Sequence, residues 1–393
     1  MRKTIRMLVL SLALLAVPCG LRGEEAPISL VLLHGRLIDG NGGEPIEDVA
    51  VVIRDGRIVA VGPDGAIEVP DAAEILDVHG ATVLPGFINA HVHAGYDAEN
   101  LRAWAYAGVT TVRDLGTQFR WTETSDRAFG DRNALNAEAA NARLLAAGPI
   151  VTTVGGYGGY AVTSPEDARA KVDGLIDAGA DVIKIAIEDD LQGRRWPMLT
   201  QEEMMAIVET AHARGIRVAA HVSRSEHVRM ALVAGVDDVN HMAVDSVPSD
   251  LLNRMVEQGM VWIPTLELWQ GVSRRYGLSW SAVAAHNLRR FVEAGGVVAL
   301  GTDFAGYSTP FDLGMPITEI QLMCEAGMTT MQIIEAAPRN AAVVCGLGDS
   351  LGTIEPGKIA DLLVISGDPL ADLNALTSVV IVIREGVVVR DDR

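Results

Sequence analysis

The chain has 393 residues, of which 49% are hydrophobic and 5% aromatic, and its formal net charge is −19. This length exceeds that of one ordinary domain and suits a large barrel with an appended domain. The strongly negative charge repels phosphate backbones and anionic lipid surfaces, which argues against nucleic acid as a partner.

The first 23 residues have the pattern of a secretory signal peptide. Three basic residues precede an uncharged, mostly apolar run from Met7 to Gly20. This run is too short to span a bilayer comfortably, and no later segment is apolar enough to cross a membrane. We expect cleavage after Gly23, with lipid anchoring at Cys19 as the alternative, and hence a secreted or periplasmic protein. Loss of the four leader cations leaves 28 of the 32 basic residues against 51 acidic ones, a net charge of −23.

Two β-rich segments flank the middle of the chain. Residues 28–84 and 351–393 each contain short runs of β-branched residues, with Asn-Gly and Asp-Gly turn signals that are typical of hairpins. Either segment alone would leave strand edges exposed, and each could cover the edges of the other. We therefore predict a small β-sandwich domain that is built from both chain ends.

Between these flanks, residues 85–350 alternate short β-branched runs with amphipathic, alanine-rich segments. This alternation is the pattern of a parallel sheet covered by helices. Glycine often stands at the end of a helical segment, as expected for a C-cap before the next strand. Eight such units predict an α/β fold, a (β/α)8 TIM barrel. The apolar runs span residues 86–93, 108–116, 142–151, 180–187, 215–222, 235–242, 259–266 and 295–303.

The first barrel strand ends in two histidines that are separated by one valine. Because side chains alternate along a strand, His91 and His93 project to the same face, about 6.6 Å apart along the backbone. Such a pair can bind a divalent metal, although a lone His-x-His motif also occurs as two surface histidines. The active site of a (β/α)8 barrel lies at the C-terminal strand ends. Six potential metal ligands occupy those ends: His91, His93, Lys184, His221, His241 and Asp303.

Lys184 lies late in the fourth strand, in the sequence DVIKIAI. The neighbouring isoleucines would pack beneath the helices, so Val182, Lys184 and Ala186 should point into the barrel. An unpaired ammonium there would be costly, and the chain uses lysine sparingly, with 28 Arg and four Lys. Lysine at this position suggests amine chemistry, either a Schiff base or a carbamate formed with carbon dioxide. Four nearby histidines favour the carbamate, whose two oxygens can bridge a pair of cations.

These motifs resemble those of the amidohydrolase superfamily of metal-dependent hydrolases. The resemblance runs from about Leu30 to the C terminus and includes the closing sequence LGTIEPGKIADLLVISGDPL. More narrowly, PGFINAHVH, VIKIAI, VAAHV, ALVAGVDDVNHM and LGTDF are similar to the imidazolonepropionase-like and Xaa-Pro dipeptidase branch. Two motifs depart from that branch where substrate would bind. VGGYGGY stands in place of Gly-Gly-His after strand three, and Asn240-His241-Met242 in place of Glu-His-Gly.

The resemblance implies a centre with two divalent metal ions, for which zinc fits the ligand types. Carboxylated Lys184 would bridge the two ions together with a hydroxide, which would be the nucleophile. Asp303 would be the base that later delivers a proton to the departing nitrogen. One ion would be held by His91, His93 and Asp303, and the other by His221 and His241.

The implied reaction is hydrolysis of an amide or related C–N bond in a small-molecule substrate. Candidate substrates are a dipeptide such as Xaa-Pro, an N-acyl amino acid and a cyclic amide. Lactone or phosphoester hydrolysis on the same site is an alternative, as is a non-catalytic exported binding protein. The six ligand positions favour the enzyme. The sequence carries no indication of the oligomeric state.

Two further residues are candidates for contact with the substrate. Tyr157 belongs to a glycine-rich loop after strand three and would either line the pocket or cap the barrel. Arg224 lies just beyond strand five and would either bind a substrate carboxylate through two hydrogen bonds or merely begin a helix.

Overall fold

The computed structural model describes residues 29–116, 125–191, 193–307 and 309–393. The signal peptide that we expect at residues 1–23 lies outside these ranges. Within them, no helix has the length and apolar character needed to cross a bilayer.

Seventeen strands are assigned in the described residues. They are β1 Ser29–Leu37, β2 Ile46–Arg54, β3 Arg57–Pro63, β4 Glu74–Asp77, β5 Thr82–Pro85, β6 Phe87–Val92, β7 Val109–Asp114, β8 Arg143–Ala146, β9 Val151–Thr153, β10 Tyr160–Val162, β11 Ile183–Ala186, β12 Val218–His221, β13 Asp238–Asn240, β14 Val261–Ile263, β15 Leu362–Ile365, β16 Val379–Arg384 and β17 Val387–Asp391.

Eleven α-helices are assigned in the same ranges, with a π-helical turn between the last two and a 3-10 helix before β16. The α-helices are α1 Ala98–Tyr106, α2 Ser125–Asn136, α3 Pro165–Ala178, α4 Gln201–Ala213, α5 Ser225–Ala234, α6 Ser249–Glu257, α7 Leu266–Tyr276, α8 Trp280–Glu293, α9 Ile317–Glu325, α10 Thr330–Glu335 and α11 Ala341–Val344. The π-helical turn spans Ala336–Asn340, and the 3-10 helix spans Leu373–Thr377.

Both chain ends contribute to one β-domain. Strands β1 to β5 and β15 to β17 form an eight-stranded sheet with the order β17-β16-β15-β5-β1-β2-β3, in which β4 also pairs with β1. Strand β5 joins the two flanks, because it pairs with β1 in parallel and with β15 in antiparallel orientation. Leu32, Val51, Leu362 and Ile383 belong to the separate apolar core of this domain. The predicted small β-domain is therefore present, with its strands hydrogen-bonded in one continuous sheet.

The middle of the chain forms the (β/α)8 barrel. One parallel sheet contains β6 to β8, and another contains β9 to β14. The backbone N–H of Asp181 donates to the carbonyl of Ala146 at 3.0 Å, which connects the two sheets on one side. On the other side, residues 297–304 lie between β14 and β6: Ala299 donates to Trp262 at 3.1 Å, and Ala90 donates to Leu300 at 2.9 Å. This segment is the eighth barrel strand of the sequence prediction.

The side chains of β11 alternate as its sequence predicts. Ile183 and Ile185 belong to the large core between the barrel strands and the helices. Val182, by contrast, packs with Leu115 and Ala219 in a small separate cluster contributed by neighbouring strands. Lys184 lies two residues from Val182 in the strand and is 1% exposed. The strand thus carries a lysine into the interior of the barrel.

A buried ion pair joins β7 to β13. Arg113 Nη2 donates to Asp238 Oδ2 at 2.8 Å, and both side chains are fully buried. Arg113 also donates to the carbonyls of Ala90 and Val344, at 2.8 and 2.9 Å. The guanidinium of Arg113 therefore links β7, the strand that carries it, to β6, β13 and α11.

Removal of this guanidinium should destabilise the fold strongly. Arg113→Met leaves the Asp238 carboxylate buried without its partner, so we expect the free energy of unfolding to fall by about 3 to 5 kcal/mol. Urea denaturation measures this change. The same substitution at Arg229, which pairs with Glu226 on an exposed helix face, should have little effect. Similar small losses for both variants would contradict the structural role of the buried pair.

Candidate active site

The six metal ligands predicted from the sequence lie around one cavity of about 430 Å³. Five of them lie at or just beyond the C-terminal end of β6, β12, β13 or the segment 297–304, where β/α barrels place their active sites. Lys184 is the second residue of β11. The ligands that line the cavity are His91, His93, Lys184, His221, His241 and Asp303.

Three of these residues form a compact group of donor atoms. Asp303 Oδ1 lies 3.2 Å from His91 Nε2 and 2.9 Å from His93 Nε2. The two histidine Nε2 atoms are 3.3 Å apart. One ligand atom from each residue lies within 4.8 Å of the other two, as in a site that could hold a metal ion.

The other two histidines lie next to this group. The ring centroids of His221 and His241 are 4.7 Å apart, and those of His91 and His241 are 5.0 Å apart. Four imidazole rings therefore converge at the base of the cavity. The side chains are largely buried, from 0% exposed for His91 to 14% for His93.

Hydrogen bonds orient two of the rings through their Nδ1 atoms. His93 Nδ1 lies 3.0 Å from the carbonyl of Gly116, and His241 Nδ1 lies 2.9 Å from Thr265 Oγ1. When Nδ1–H donates to such an oxygen, Nε2 carries the free lone pair, as in most histidine metal ligands. His93 donates from Nδ1, because a carbonyl only accepts, whereas Thr265 Oγ1 can either accept from His241 Nδ1 or donate to it.

Burial favours the neutral, metal-binding form of three of the four histidines. It lowers the pKa of His91 and of His241 well below the usual value, so both rings are neutral. Burial also lowers the pKa of His221. For His93, burial is the largest single effect and opposes the charged form, but the hydrogen bond and charge of Asp303, together with Asp114 and the Gly116 carbonyl, raise the pKa. Only a neutral imidazole offers a lone pair to a metal.

Lys184 has no hydrogen-bond partner for Nζ among the described residues. Burial lowers the pKa of its amine to about 7, an effect that the carboxylate of Asp238 opposes and the charge of Arg113 reinforces. A substantial fraction of the amine is therefore neutral at neutral pH. An unpartnered polar group at this depth is costly unless something binds it.

Two of the ligands have strained backbones. The φ angles of His241 and Asp303 are 72° and 65°, in the left-handed region that residues other than glycine rarely adopt. Strain of this kind costs about 1 to 3 kcal/mol per residue and clusters at functional sites. Gly301 allows the eighth strand to approach β6 closely, because a Cβ atom there would lie 3.0 Å from the backbone N of His91.

Glu188 also lines the cavity, and the sequence analysis missed it. Its Oε2 lies 3.2 Å from His221 Nε2, and Oε1 accepts hydrogen bonds from the backbone N–H groups of Asp190 and Leu191. Burial opposes ionisation, but the hydrogen bond from His221 lowers the pKa of Glu188 to about 2. Glu188 follows the end of β11 by two residues. The strand-end rule that selects Lys184 could therefore have identified it.

Aromatic side chains form the walls above this polar base. Tyr157 stacks on the ring of His221, with centroids 4.6 Å apart and planes inclined by 24°. Trp196 packs edge-on against Tyr157 at 5.4 Å, and Trp280 packs edge-on against Trp269 at 5.7 Å. Tyr157 thus lines the cavity, as one of its two interpretations expects. The tryptophans lie in loops and helices after the strands, where strand periodicity gives no signal.

Arg224 does not line the cavity in the structure. Its Nη2 donates to Asp190 Oδ1 at 2.6 Å, and it occupies the N-cap position of α5. The second interpretation of Arg224, the start of a helix, describes its observed position. Its role in binding a substrate carboxylate stays a prediction.

The donor set fits divalent metal ions. It combines neutral imidazoles with a carboxylate, which are the ligand types of zinc and related metals. The unpartnered Nζ of Lys184 lies among the same residues, and a carbamate formed on it would add two oxygen ligands. The residues present could therefore hold metal at this site.

Comparison with known proteins places the chain in a family. Residues 82–389 match the amidohydrolase family, and the chain belongs to it. The chain is 26% identical over 411 residues to ochratoxinase of Aspergillus niger, with 89% of this chain and 83% of that protein covered. It is 25% identical over 402 residues to imidazolonepropionase of Symbiobacterium thermophilum, with 86% and 91% covered.

A similar solved structure is that of a Xaa-Pro dipeptidase with bound methionine in its active site. Its TM-score to this structure is 0.81 at 27% identity, over 92% of this chain and 99% of that one. These findings confirm the resemblance drawn from the sequence. The protein is a hydrolase of the amidohydrolase family, a family that generally uses metal ions.

Proposed function

We propose that this protein is a metal-dependent hydrolase that cleaves an amide or a related C–N bond in a small molecule. The observation that carries the proposal is the convergence of four histidines with Lys184 and Asp303 at the base of one cavity. The relatives named ochratoxinase, imidazolonepropionase and Xaa-Pro dipeptidase support hydrolytic chemistry of this class.

Two sets of residues would hold two divalent ions, for which we propose zinc. The first set is His91, His93 and Asp303, and the second is His221 and His241. When bound, such ions lower the pKa of a water ligand towards neutrality and polarise the carbonyl that is attacked. Glu188 faces the second set through its contact with His221, so the chain supplies an additional carboxylate there.

Lys184 would carry a carboxyl group between the two sets. The carbamate forms from the neutral amine, and burial holds the pKa of Lys184 near the value at which that form is abundant. A carbamate gives the lysine two anionic oxygens, whereas a free ammonium would repel cations bound by the neighbouring imidazoles. Lys184 therefore suits the bridging position only in its carboxylated form.

Asp303 would move the proton during the reaction. Its carboxylate lies at the base of the cavity, 2.9 Å from His93 Nε2, and is 5% exposed. There it can accept a proton from the attacking water and deliver it to the departing nitrogen, which leaves as a neutral amine. The left-handed backbone of Asp303 is of the kind that clusters at functional sites.

Metal removal tests the proposed function. Dialysis against dipicolinate should abolish amide hydrolysis, and one or two equivalents of zinc should restore it, while the fold is monitored by circular dichroism. The substrates are dipeptides such as Xaa-Pro, N-acyl amino acids and cyclic amides, with lactones and phosphoesters for comparison. Full activity in protein free of metal would contradict the proposal. Faster turnover of lactones or phosphoesters than of amides would show that the enzyme cleaves an ester bond instead of a C–N bond.

We also propose export of the protein, from the charge and apolar pattern of its first 23 residues. Protein recovered from an expressing cell should begin near Glu24 and be found outside the cytoplasm. Mass spectrometry of the N terminus after cell fractionation measures this. An intact Met1 on cytosolic protein would contradict it, and a terminus at a modified Cys19 would indicate a lipid anchor instead.

A further inference from the structure

Many of the tryptophans and tyrosines of this chain line the cavity. The protein has six Trp and six Tyr, and among the described residues three of each line the cavity. Aromatic rings supply large apolar contact surfaces and stack on other rings. The cavity-lining aromatics are Tyr157, Trp196, Trp269, Tyr276, Trp280 and Tyr307.

One helix supplies much of this wall. Leu268, Trp269, Val272 and Tyr276 of α7 line the cavity, and their spacing places them on one face of the helix. Buried Glu319 fixes the start of α7, because its two carboxyl oxygens accept hydrogen bonds from the first two backbone N–H groups of the helix, at 2.9 and 2.7 Å. The apolar wall is therefore held in a defined place.

The described walls contain no group that would balance a negative charge on a ligand. Lys184, at the base, is the one lysine or arginine among the described residues that line the cavity. Arg224 is paired with Asp190. Arg194 packs over the ring of Trp196 at 5.7 Å and is exposed outside the lining. A carboxylate among these walls would be desolvated without a partner, which is costly.

Trp269 forms the buried part of this apolar wall. The indole Nε1 of Trp269 is buried and has no acceptor among the described residues. Trp269 itself is 2% exposed and lines the cavity, 6.0 Å from the ring of His241 between centroids.

We propose that the cavity selects uncharged amides that carry an aromatic group. This inference rests on the proposed hydrolase function and specifies its substrate class. Hydrolysis would add one water across the C–N bond of such an amide and give a carboxylic acid and an amine. The aromatic group would lie between the walls formed by Tyr157 with Trp196 and by Trp269 with Trp280. Among the substrates considered above, those without a free carboxylate fit best.

Two matched pairs of amides test this selection with the metal-loaded protein. One pair is 4-methylacetanilide and 4-acetamidobenzoate, and the other is N,4-dimethylbenzamide and 4-(methylcarbamoyl)benzoate. Within each pair a methyl group is exchanged for a carboxylate, and the ring lies on the amine side or on the acyl side of the amide. Calorimetry gives Kd and product analysis gives kcat/KM, with acetamide as the small reference.

We expect the neutral member of at least one pair to bind at least about tenfold more tightly than its carboxylate. Equal or tighter binding of the carboxylates in both pairs would overturn the inference, as would neutral members that bind no better than acetamide. If the neutral amides bind selectively but none is hydrolysed, the proposed function fails and the ligand class stands. If the carboxylates are hydrolysed preferentially, the function stands and the inference fails.

A matched pair of variants locates the effect in the cavity. Tyr276 and Tyr106 are 52% and 51% exposed, but only Tyr276 lines the cavity. Tyr276→Leu should weaken binding of the preferred neutral amide about two- to tenfold, as expected for the loss of one aromatic contact. Tyr106→Leu should leave this Kd unchanged. Equal Kd values for the two variants would show that the aromatic wall does not select the ligand.

Discussion

Lys184→Ala should lose one or both metal ions and nearly all hydrolytic activity. Lys184 of β11 lines the same cavity as the five other candidate ligands. Its side chain is 1% exposed, and its Nζ has no hydrogen-bond partner among the described residues. Alanine at this position leaves the histidines without the bridging carbamate. Metal content by plasma mass spectrometry and turnover of a preferred amide measure the two losses. Propionate should restore part of both, because its carboxylate can fill the vacated space.

Lys184→Arg is the matched control for charge and length. Guanidinium stays protonated and cannot take up carbon dioxide, so this variant should fail as badly as Lys184→Ala. A Schiff-base role for Lys184 predicts instead that borohydride traps a carbonyl substrate on the protein. Intact-mass measurement of an unmodified lysine in a fully metallated, active enzyme would remove the bridging carbamate from the account.

Asp303→Asn should leave the fold intact and lower kcat by at least about 10²-fold, the scale of a lost general acid or base. The amide keeps an oxygen near His91 and His93 but cannot accept and return a proton. Turnover is to be expressed per metal-loaded molecule, because the substitution also weakens a metal ligand. In the pH profile of kcat, the rise with pH that reports deprotonation of the catalytic base should disappear in this variant.

Asp245→Asn provides the comparison for Asp303→Asn. Asp245 accepts hydrogen bonds from Ser225 at the start of α5, both at 2.7 Å, and does not line the cavity. We expect Asp245→Asn to lower stability slightly and to leave kcat close to that of the parent protein. Near-normal kcat in metal-loaded Asp303→Asn would exclude Asp303 from proton transfer.

The barrel and the place of the six candidate metal ligands around one cavity were predictable because their signals are local. The alternation DVIKIAI assigns the inward side of β11 from seven residues, and the structure places Val182 and the isoleucines in different cores as that alternation requires. The His91–His93 pair follows from the same period of two. Because the barrel strands are parallel, their C-terminal ends meet at one end of the barrel, so no further sequence signal is needed to bring these residues together.

The eighth barrel strand shows where periodicity falls short. Residues 297–304 hydrogen-bond to β14 and β6, but the left-handed backbone of Asp303 and the close approach at Gly301 interrupt regular pairing. The sequence LGTDF places Asp303 at the end of this strand, and in the structure Asp303 lines the cavity. It does not reveal that the ligand sits on a strained turn, because strain depends on what packs around it.

The substrate walls depend on tertiary placement. Trp269 and Trp280 meet only because α7 begins directly after the left-handed Thr265 and α8 follows after a short connection. Arg224 was a candidate for binding carboxylate from its position beyond β12. Its ion pair with Asp190 forms because the loops after β11 and β12 are neighbours in space. Contacts of this kind between loops leave no periodic pattern in the sequence, so the sequence does not predict them.

The alternative of an exported protein without catalysis is not what the family membership indicates. Residues 82–389 match the amidohydrolase family, and the ligand residues occupy the C-terminal strand ends around one cavity. An ordinary binding protein would have no need of neutral buried imidazoles, a desolvated lysine and two strained ligand backbones. These features destabilise the fold, and the proposed metal binding would offset their cost.

Crystals of the active, zinc-loaded protein, recorded on both sides of the zinc absorption edge, test the central claim most directly. The account predicts anomalous peaks at the base of the cavity, one about 2.0 to 2.1 Å from His91 and His93 nitrogens and one at the same distance from His221 and His241 nitrogens. It also predicts density for a carboxyl group on Lys184 between them. Fully active crystals with no metal at these histidines would contradict it.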